Sequence, residues 1–260
     1  MSAELPESLT VELHEKEVAV LRLTRPRKRN ALDDATVLGI EDFFARPPEG
    51  VRAVVLDAEG DHFCAGLDLS ELGDRDVVAA MEHSRMWHRA FARLAEGRVP
   101  VVSVLKGAVV GGGLELASAT HLRVAEDSTF YALPEGQHGL FVGGGGSVRV
   151  PRLIGAHRMT DMMLTGRVLD ADEGHALGLS HYRTGPGAGL DRALELAHTV
   201  AGNSAITNVA VLQALPRIAE ASPDQGFLME SLVAAVASSS PEAQERMREF
   251  LAGRGGRVRR

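Results

Sequence analysis

A run of three glycines between a buried-strand pattern and an apolar helical pattern limits the fold of this chain more than any other feature. In GAVVGGGLELASA, residues 107–119, Gly111, Gly112 and Gly113 precede a helical pattern that holds one carboxylate, Glu115. Glycine is a poor helix former, and burial of a lone carboxylate is costly. Both features are explained if the backbone must approach a ligand closely and Glu115 must act on that ligand.

A second turn of small residues offers a partner for the glycine run. FCAGLDL, residues 63–69, follows another buried-strand pattern, VRAVVLDA, residues 51–58. Backbone N–H groups at a helix start carry the positive end of the helix dipole and can bind a ligand oxygen where no Cβ intervenes. One N–H group from each turn would form an oxyanion hole, in which each donor typically contributes about 10²–10³ in rate.

A nucleotide-phosphate loop is the main alternative for these glycines, but its motifs are absent. The pattern G-x-G-x-x-G does not occur around 107–113, and VGGGGS, residues 142–147, lacks the Gly-Lys-Ser/Thr ending of a phosphate loop. We interpret residues 143–146 as a flexible turn that caps the following helix.

Two acids are candidates for proton transfer. Glu115 lies one helical turn after Gly112, and Glu135 lies between Pro134 and Gly136, directly after an apolar strand pattern. Two carboxylates that face one pocket cannot both ionise easily, so one can hold a proton near neutral pH. By spacing alone, however, Glu135 is better interpreted as a helix-start acid stabilised by the dipole.

The predicted elements alternate up to about residue 150 and are helical beyond it. We predict a β-hairpin over 9–23, a helix that begins near Asp33, strands at 51–58 and 99–106, and a helix from about Asp74 to Leu94. The glycine-opened helix at 111–119 then comes straight after the second strand, and short strands LRVA and STFYAL lie on either side of a turn around Asp127. This order favours α/β layers with right-handed connections. The later helices are predicted to cover the core or to form subunit contacts.

Composition restricts the class of protein. The 260 residues are 45% hydrophobic and 24% charged, which fits one large domain or a main domain with a smaller appendage. The formal charge of −7 disfavours a nucleic-acid binder, and the basic ending GRGGRVRR is interpreted as a solvated tail. The single cysteine, Cys64, excludes an internal disulfide. We see no secretory signal and no apolar run of roughly 20 residues, so we expect a cytoplasmic protein with no membrane span.

Several segments, in order, resemble the enoyl-CoA hydratase/isomerase (crotonase) superfamily. They are RPRKRNALDDA, VVLDAEGDHFCAGLDLSEL, PVVSVLKGAVVGGGLELASATHLRVA, LPEGQHGLFVGGGGSVRVPRLIG and the C-terminal SPEAQERMREFLAGR. The resemblance implies an α/β spiral of repeated ββα units with an acyl-CoA site over residues 1–195. It also implies an α-helical oligomerisation region over residues 196–260 and assembly as a homotrimer or a dimer of trimers.

The resemblance assigns roles to individual residues. It implies that the N–H groups of Leu67 and Gly112 bind the thioester carbonyl and that Glu115 and Glu135 are the catalytic acids. The coenzyme A part of the substrate would be contacted by a basic cluster and by backbone near the adenine: Arg27, Lys28, Arg29 and Ala65. The basic cluster by itself is more often only a solvated loop. No metal and no separate cofactor are expected, because coenzyme A is part of the substrate.

The resulting hypothesis is hydration of a trans-2-enoyl-CoA, with Glu115 as the base that delivers oxygen to C3 and Glu135 as the acid that protonates C2. One alternative is an isomerase that uses chiefly Glu135 to move a proton between C2 and C4. Another is a non-catalytic RNA-binding or scaffolding relative. The net negative charge and the two acids count against this last alternative.

Departures from the family pattern leave the acyl group open. Phe141-Val142-Gly143 stands where the family commonly has Ile-Pro-Gly, and Gly136 and His138 replace larger or basic residues, all in segments expected at the pocket wall. His138 is interpreted as a structural or rim residue, and Cys64 as a small buried filler. Five apolar or aromatic residues would line either the acyl pocket or a helix core, and we favour the core for the majority: Leu69, Leu72, Met81, Met86 and Trp87.

Overall fold

Two β-sheets organise the computed structural model, which describes residues 5–15, 17–71, 73 and 75–254. The strands are β1 Leu9–His14, β2 Val18–Leu23, β3 Ala53–Ala58, β4 Val101–Leu105, β5 Ala108–Val110, β6 Leu122–Glu126, β7 Phe130–Ala132, β8 Leu169–Asp170 and β9 Tyr182–Thr184. The larger sheet has the order β1-β2-β3-β4-β6-β9, and the smaller sheet has the order β5-β7-β8.

Helices connect and cover the strands. They are α1 Asp34–Ala45, α2 Val77–Ala95, α3 Gly112–Ala119, α4 Gly146–Ile154, α5 Ala156–Thr165, α6 Ala171–Leu177, α7 Gly189–Ala201, α8 Ala205–Val209, α9 Leu215–Glu220, α10 Pro223–Ser239 and α11 Pro241–Leu251. Short 3-10 turns lie at Pro26–Lys28, Leu69–Glu71 and Pro134–His138. Side-chain caps fix four of the described helix starts. Asp33 accepts from the Thr36 amide and Asp76 from the Ala79 amide, and Asp170 and Ser240 cap α6 and α11 in the same way.

The larger sheet is covered on both faces, which explains its nearly continuous apolar strands. β1 and β2 form an antiparallel hairpin, and every pair from β2 to β9 in this sheet is parallel. Alternate side chains of each strand point to opposite faces. One face packs on α1, α2 and α3, and the other packs on Ala193, Ala197 and Ala201 of α7.

Most predicted elements are confirmed, including the hairpin, the helix start at Asp33 and the helix-rich second half. The predicted direct connection from strand 99–106 to the glycine-opened helix is wrong. Gly107, with φ +49°, turns the chain out of the larger sheet, and β5 then pairs with β7 in the smaller sheet before α3 begins. Lys16 in the hairpin turn, Asp74 at the predicted start of α2 and residues 255–260 of the basic ending lie outside the described residues.

The pairing of β5 also aligns the two small-residue turns. Cys64 forms a parallel bridge with Val109 of β5, and Leu67 forms one with Leu32. These bridges hold the 63–67 turn beside the start of α3. The predicted two-sheet α/β architecture therefore places both turns at one point of the fold.

None of the described helices combines the length and the apolar character that crossing a bilayer requires. The predicted division of the chain at residue 195, which falls within α7, stays a prediction.

Candidate active site

A cavity of about 480 Å³ lies between the two small-residue turns, α2 and the segment that follows β7. Its walls include Ala65, Leu67, Gly112, Glu115 and Glu135. Five residues to which the resemblance gave a role therefore border one space. The three basic candidates at 27–29 are not among its lining residues.

The backbone amides of Leu67 and Gly112 lie side by side. A Cβ atom placed on Gly112 would be 3.3 Å from the Leu67 nitrogen, and one on Gly66 would be 3.2 Å from the Gly112 nitrogen. Within the described part of the chain, neither amide donates a hydrogen bond. Two adjacent donors that border a cavity and have no acceptor of their own are the arrangement of an oxyanion hole.

Each of the three glycines is required by a different neighbour. Gly111 has φ +53°, and a Cβ there would lie 2.8 Å from Oε1 of Glu135. A Cβ on Gly112 would lie 2.9 Å from Cζ3 of Trp87, and one on Gly113 would collide with the backbone oxygen of Cys64. Glycine is therefore required at these three positions by close packing against protein groups, and the close approach to a ligand stays a prediction.

Glu115 is almost fully buried, with 3% of its surface exposed. Its Oε1 accepts from the Gly144 amide at 2.8 Å and from the Gly146 amide at 2.7 Å. Burial raises the pKa of Glu115 to about 7, against the two amide hydrogen bonds, while the charge of Glu135 raises this pKa and that of Arg149 lowers it. The 143–146 turn precedes α4 as predicted, but the interpretation as a flexible cap missed that it binds Glu115.

Glu135 is both a helix-start acid and part of the cavity wall. It lies in the first turn of Pro134–His138, as expected for a helix-start acid, and it also lines the cavity. Its Oε2 is buried without a hydrogen-bond partner among the described residues. Burial raises the pKa of Glu135, whereas its own amide and His138 lower it. The site therefore holds two carboxyl groups that both retain a proton more readily than a solvated glutamate.

One face of α2 forms a wall of the cavity through Ala80, His83, Ser84 and Trp87. Trp87 is buried in the core and also packs against Gly112, so it belongs to both the core and the cavity wall. The preference for the core also holds for Met86, which packs against the core. Leu69 and Met81 do not belong to the core: they are 63% and 50% exposed, and Leu69 lines the cavity. Leu72 lies outside the described residues.

The departures from the family pattern fall mainly at the rim. His138 and Phe141 are exposed and line the cavity, whereas Val142 lines it and is buried in the core. Gly136 does not line the cavity, which corrects its predicted place in the pocket wall. A Cβ at this position would lie 2.5 Å from the backbone oxygen of Met163 in α5, so close packing requires glycine there.

The basic segment is tied to the oxyanion turn by Asp68, which sequence reasoning missed. Lys28 Nζ lies 2.8 Å and Arg25 Nη2 lies 2.7 Å from Oδ2 of Asp68. Hydrogen bonds from Lys28, Ser70 and Arg25 hold the pKa of Asp68 well below its usual range. Arg27 and Arg29 are exposed, and the Ala65 amide donates to the Arg29 carbonyl oxygen at 2.9 Å.

Cys64 is fully buried, as predicted for a small filler. Burial raises the pKa of its thiol to about 12, so it is not a nucleophile at neutral pH. Among the described residues, no group of three or more His, Cys, Asp or Glu side chains is arranged to hold a metal ion.

Comparisons with known proteins agree with the family resemblance found in the sequence. The family model for enoyl-CoA hydratase/isomerase matches residues 14–255. The chain is 33% identical over 213 residues to an enoyl-CoA isomerase/hydratase of Zymoseptoria tritici, a match that covers 77% of this chain and 64% of that relative. It is 27% identical over 240 residues to the short-chain-enoyl-CoA hydratase of Clostridium acetobutylicum, covering 91% and 92% of the two chains.

A crystal structure from Rhodopseudomonas palustris CGA009, named "putative enoyl-CoA hydratase", superposes with a TM-score of 0.93 at 55% sequence identity. The superposition covers 96% of this chain and 98% of that one. The two-sheet architecture with C-terminal helices is therefore shared over almost the full length of both chains.

Proposed function

Because this chain belongs to the enoyl-CoA hydratase/isomerase family, we propose that it is a hydratase that adds water to a trans-2-enoyl-CoA to give a 3-hydroxyacyl-CoA. One observation carries the proposal: two amides without an acceptor among the described residues, at Leu67 and Gly112, border the same cavity as two carboxyl groups, at Glu115 and Glu135. Retention of both acids favours hydration over isomerisation.

The amides would act on the thioester carbonyl. As oxygen adds to C3 of the enoyl group, negative charge develops on the carbonyl oxygen as an enolate. N–H groups of Leu67 and Gly112 that donate to this oxygen stabilise the charge most strongly in the transition state, and so lower the barrier.

The carboxyl groups would divide the proton transfers. Glu115 accepts a proton from water while the water oxygen bonds to C3, and Glu135 gives a proton to C2. A second proton exchange restores the starting state. Both pKa values are raised by burial, so the pair is able to retain one proton near neutral pH, which the mechanism requires.

Arg27, Lys28 and Arg29 remain the proposed contacts of the coenzyme A phosphates, with the backbone at Ala65 near the adenine. Lys28 would then be shared between a phosphate and Asp68. The Arg29–Ala65 backbone hydrogen bond supports a common binding region for the two groups.

We also propose that the protein assembles as a trimer or a dimer of trimers through its C-terminal helices. Apolar side chains of α10 and α11 are exposed in the single chain, which supports this proposal: Phe227, Leu228, Leu232, Val236, Met247, Phe250 and Leu251. The division into residues 1–195 and 196–260 is part of the same proposal.

Hydration is tested by the loss of the conjugated thioester absorbance when crotonyl-CoA, a longer enoyl-CoA and an aromatic enoyl-CoA are each mixed with enzyme. We expect at least one of them to react. Glu115→Gln and Glu135→Gln are each expected to lower kcat by about 10²–10⁴. Glu82→Gln, which removes an exposed acid paired with Arg85 on α2, is the control and should react as the wild type does.

The outcomes separate the alternatives. If the wild type hydrates none of these and only converts a 3-enoyl-CoA to its 2-enoyl isomer, the protein is an isomerase. If Glu115→Gln stays fully active, Glu115 is not the base. Retention of RNA on a filter at moderate salt, with no activity on either substrate, would identify a non-catalytic relative.

A further inference from the structure

We propose that Arg149 is a positioning residue that holds Glu115 in place and keeps it available as a base. Its guanidinium fixes the turn at 144–146 and places a positive charge directly behind that turn. The catalytic part of this inference rests on the proposed function, but its structural and electrostatic parts do not.

Arg149 contacts the turn on the side that faces away from Glu115. Its Nη2 donates to the carbonyl oxygen of Gly144. Gly145 has φ +95°, and a Cβ there would lie 2.7 Å from Nη2 and 3.0 Å from Cζ of Arg149. The guanidinium therefore packs flat against a residue that cannot carry a side chain. The guanidinium also lies over the ring of Phe91, with Cζ of Arg149 5.9 Å from the ring centroid.

The turn connects Arg149 to the active site. The amides of Gly144 and Gly146 both donate to Oε1 of Glu115. A displacement of the Gly144 peptide would lengthen at least one of these bonds. Arg149 thus acts on the carboxyl through the backbone and does not touch the cavity, since it is not among the lining residues.

The buried guanidinium of Arg149 has no ion-pair partner among the described residues. In the part of the chain that the structure describes, no carboxylate lies within 4.0 Å of this guanidinium, and its Nε is buried without an acceptor. Burial lowers the pKa of Arg149, while the charge of Glu115 raises it. A cation that is desolvated without an ion pair is costly. The charge of Arg149 opposes the effect of burial on the pKa of Glu115.

Several other charges face these two groups. Glu135, which also lines the cavity, raises the pKa of Glu115. Arg152 lowers and Glu96 raises the pKa of Arg149, and Arg149 in turn lowers the pKa of His88 on α2. Two charged groups shift the pKa of Glu115: Glu135, which is an anion, and Arg149, which is a cation.

The test measures the protonation of Glu115 directly and does not need turnover. Protein labelled with ¹³C at the glutamate side-chain carboxyl carbon is titrated by NMR, and the Glu115 signal is identified by its loss in Glu115→Gln. In Arg149→Gln, we expect the pKa of Glu115 to rise by about one unit. A second neutral variant, Arg149→Met, should give the same rise and replaces the first if that one does not fold.

Two controls separate charge from fold. Arg149→Lys keeps the charge but loses the planar contact with Gly145, so the pKa of Glu115 should rise less than in the two neutral variants. Arg152→Gln removes a charge of the same sign from the same helix, at a side chain that is 54% exposed and paired with Glu220, and should leave the pKa of Glu115 unchanged. An unaltered Glu115 titration in a folded neutral variant, or an equal shift in Arg152→Gln, would overturn the proposal.

Activity gives an independent measurement. In a neutral variant at position 149, kcat should fall at least 10-fold with little change in KM. The acidic limb of its pH profile, which follows Glu115, should move to higher pH. If the wild type proves inactive on enoyl-CoA, the hydratase proposal fails while the NMR result still decides the role of Arg149.

Discussion

At the residue scale, burial of the Glu115 carboxyl group lowers the stability of the fold when the group is ionised, but it brings the pKa of the group near neutral pH. This carboxyl is buried, which favours the protonated form, but it accepts two amide hydrogen bonds, which favour the ionised form. Burial has the larger effect, so the group titrates near neutral pH. A general base is most effective when its pKa lies close to the working pH.

The same balance predicts a pH-dependent cost in stability. The pKa of Glu115 is about 7 in the folded chain against an ordinary value of 4.5 for a solvated glutamate, so the folded state binds this proton more tightly than the unfolded state does. The stability that the bound proton provides is fully present below pH 4.5 and is lost as pH rises through 7.

Glu115→Gln should therefore stabilise the protein relative to wild type by about 2 kcal/mol more at pH 8 than at pH 5. The glutamine keeps an acceptor oxygen for the two amides and cannot ionise. Urea unfolding at both pH values checks this, with Glu82→Gln as the exposed control. An equal difference in stability at the two pH values would show that Glu115 does not titrate in this range.

At the scale of elements, local signals could be read from the sequence and pairing across the fold could not. Asp33 marks the start of α1 because its cap contact reaches only to Thr36. β5 was missed because three residues carry no periodicity, and its identity as a strand depends on β7, which lies about 20 residues further along the chain. The 143–146 turn was recognised from its glycines, but the partner of its amides, Glu115, lies in another element.

The face that α2 presents to the cavity predicts an effect on substrate size. Ala80 lines the cavity on the same face as His83, Ser84 and Trp87. If the cavity holds the acyl group as proposed, Ala80→Trp should fill part of it and raise KM for a long-chain enoyl-CoA at least 10-fold, with a smaller effect on crotonyl-CoA. Steady-state kinetics with the two substrates measure the ratio.

Ala79→Trp is the matched control, because Ala79 is exposed on the same helix and does not line the cavity. It should leave both KM values unchanged. Equal effects of the two variants would mean that α2 acts on the site through its packing and not by bordering the acyl group.

At the scale of the whole molecule, the resemblance predicted the family, the fold and five of the residues that line the cavity: Ala65, Leu67, Gly112, Glu115 and Glu135. It did not predict Asp68, Arg149 or the double use of Trp87. Each of these depends on contacts between segments that are distant in sequence: Asp68 with Lys28, Arg149 with the turn that binds Glu115, and Trp87 with Gly112. Residue types and spacing do not specify such contacts.

The exposed apolar stripe on α10 predicts self-association. Leu228, Leu232 and Val236 lie on one side of this helix and are exposed in the single chain. Sedimentation velocity should give a mass of three or six times the 27.7 kDa chain, and Leu232→Asp should shift it toward the monomer. Ala79→Asp, which adds the same charge at an exposed position of α2, is the control. A monomeric wild type at micromolar concentration would contradict the assembly.

The proposed mechanism requires the two amides and the two carboxyl groups to act together on one enoyl thioester. A crystal structure of Glu115→Gln with bound crotonyl-CoA measures this most directly. We predict that the thioester oxygen lies about 2.7–3.1 Å from the nitrogens of both Leu67 and Gly112, with C2 and C3 facing the side chains at 135 and 115. A carbonyl oxygen bound to only one amide, or an enoyl group turned away from either side chain, would contradict the mechanism.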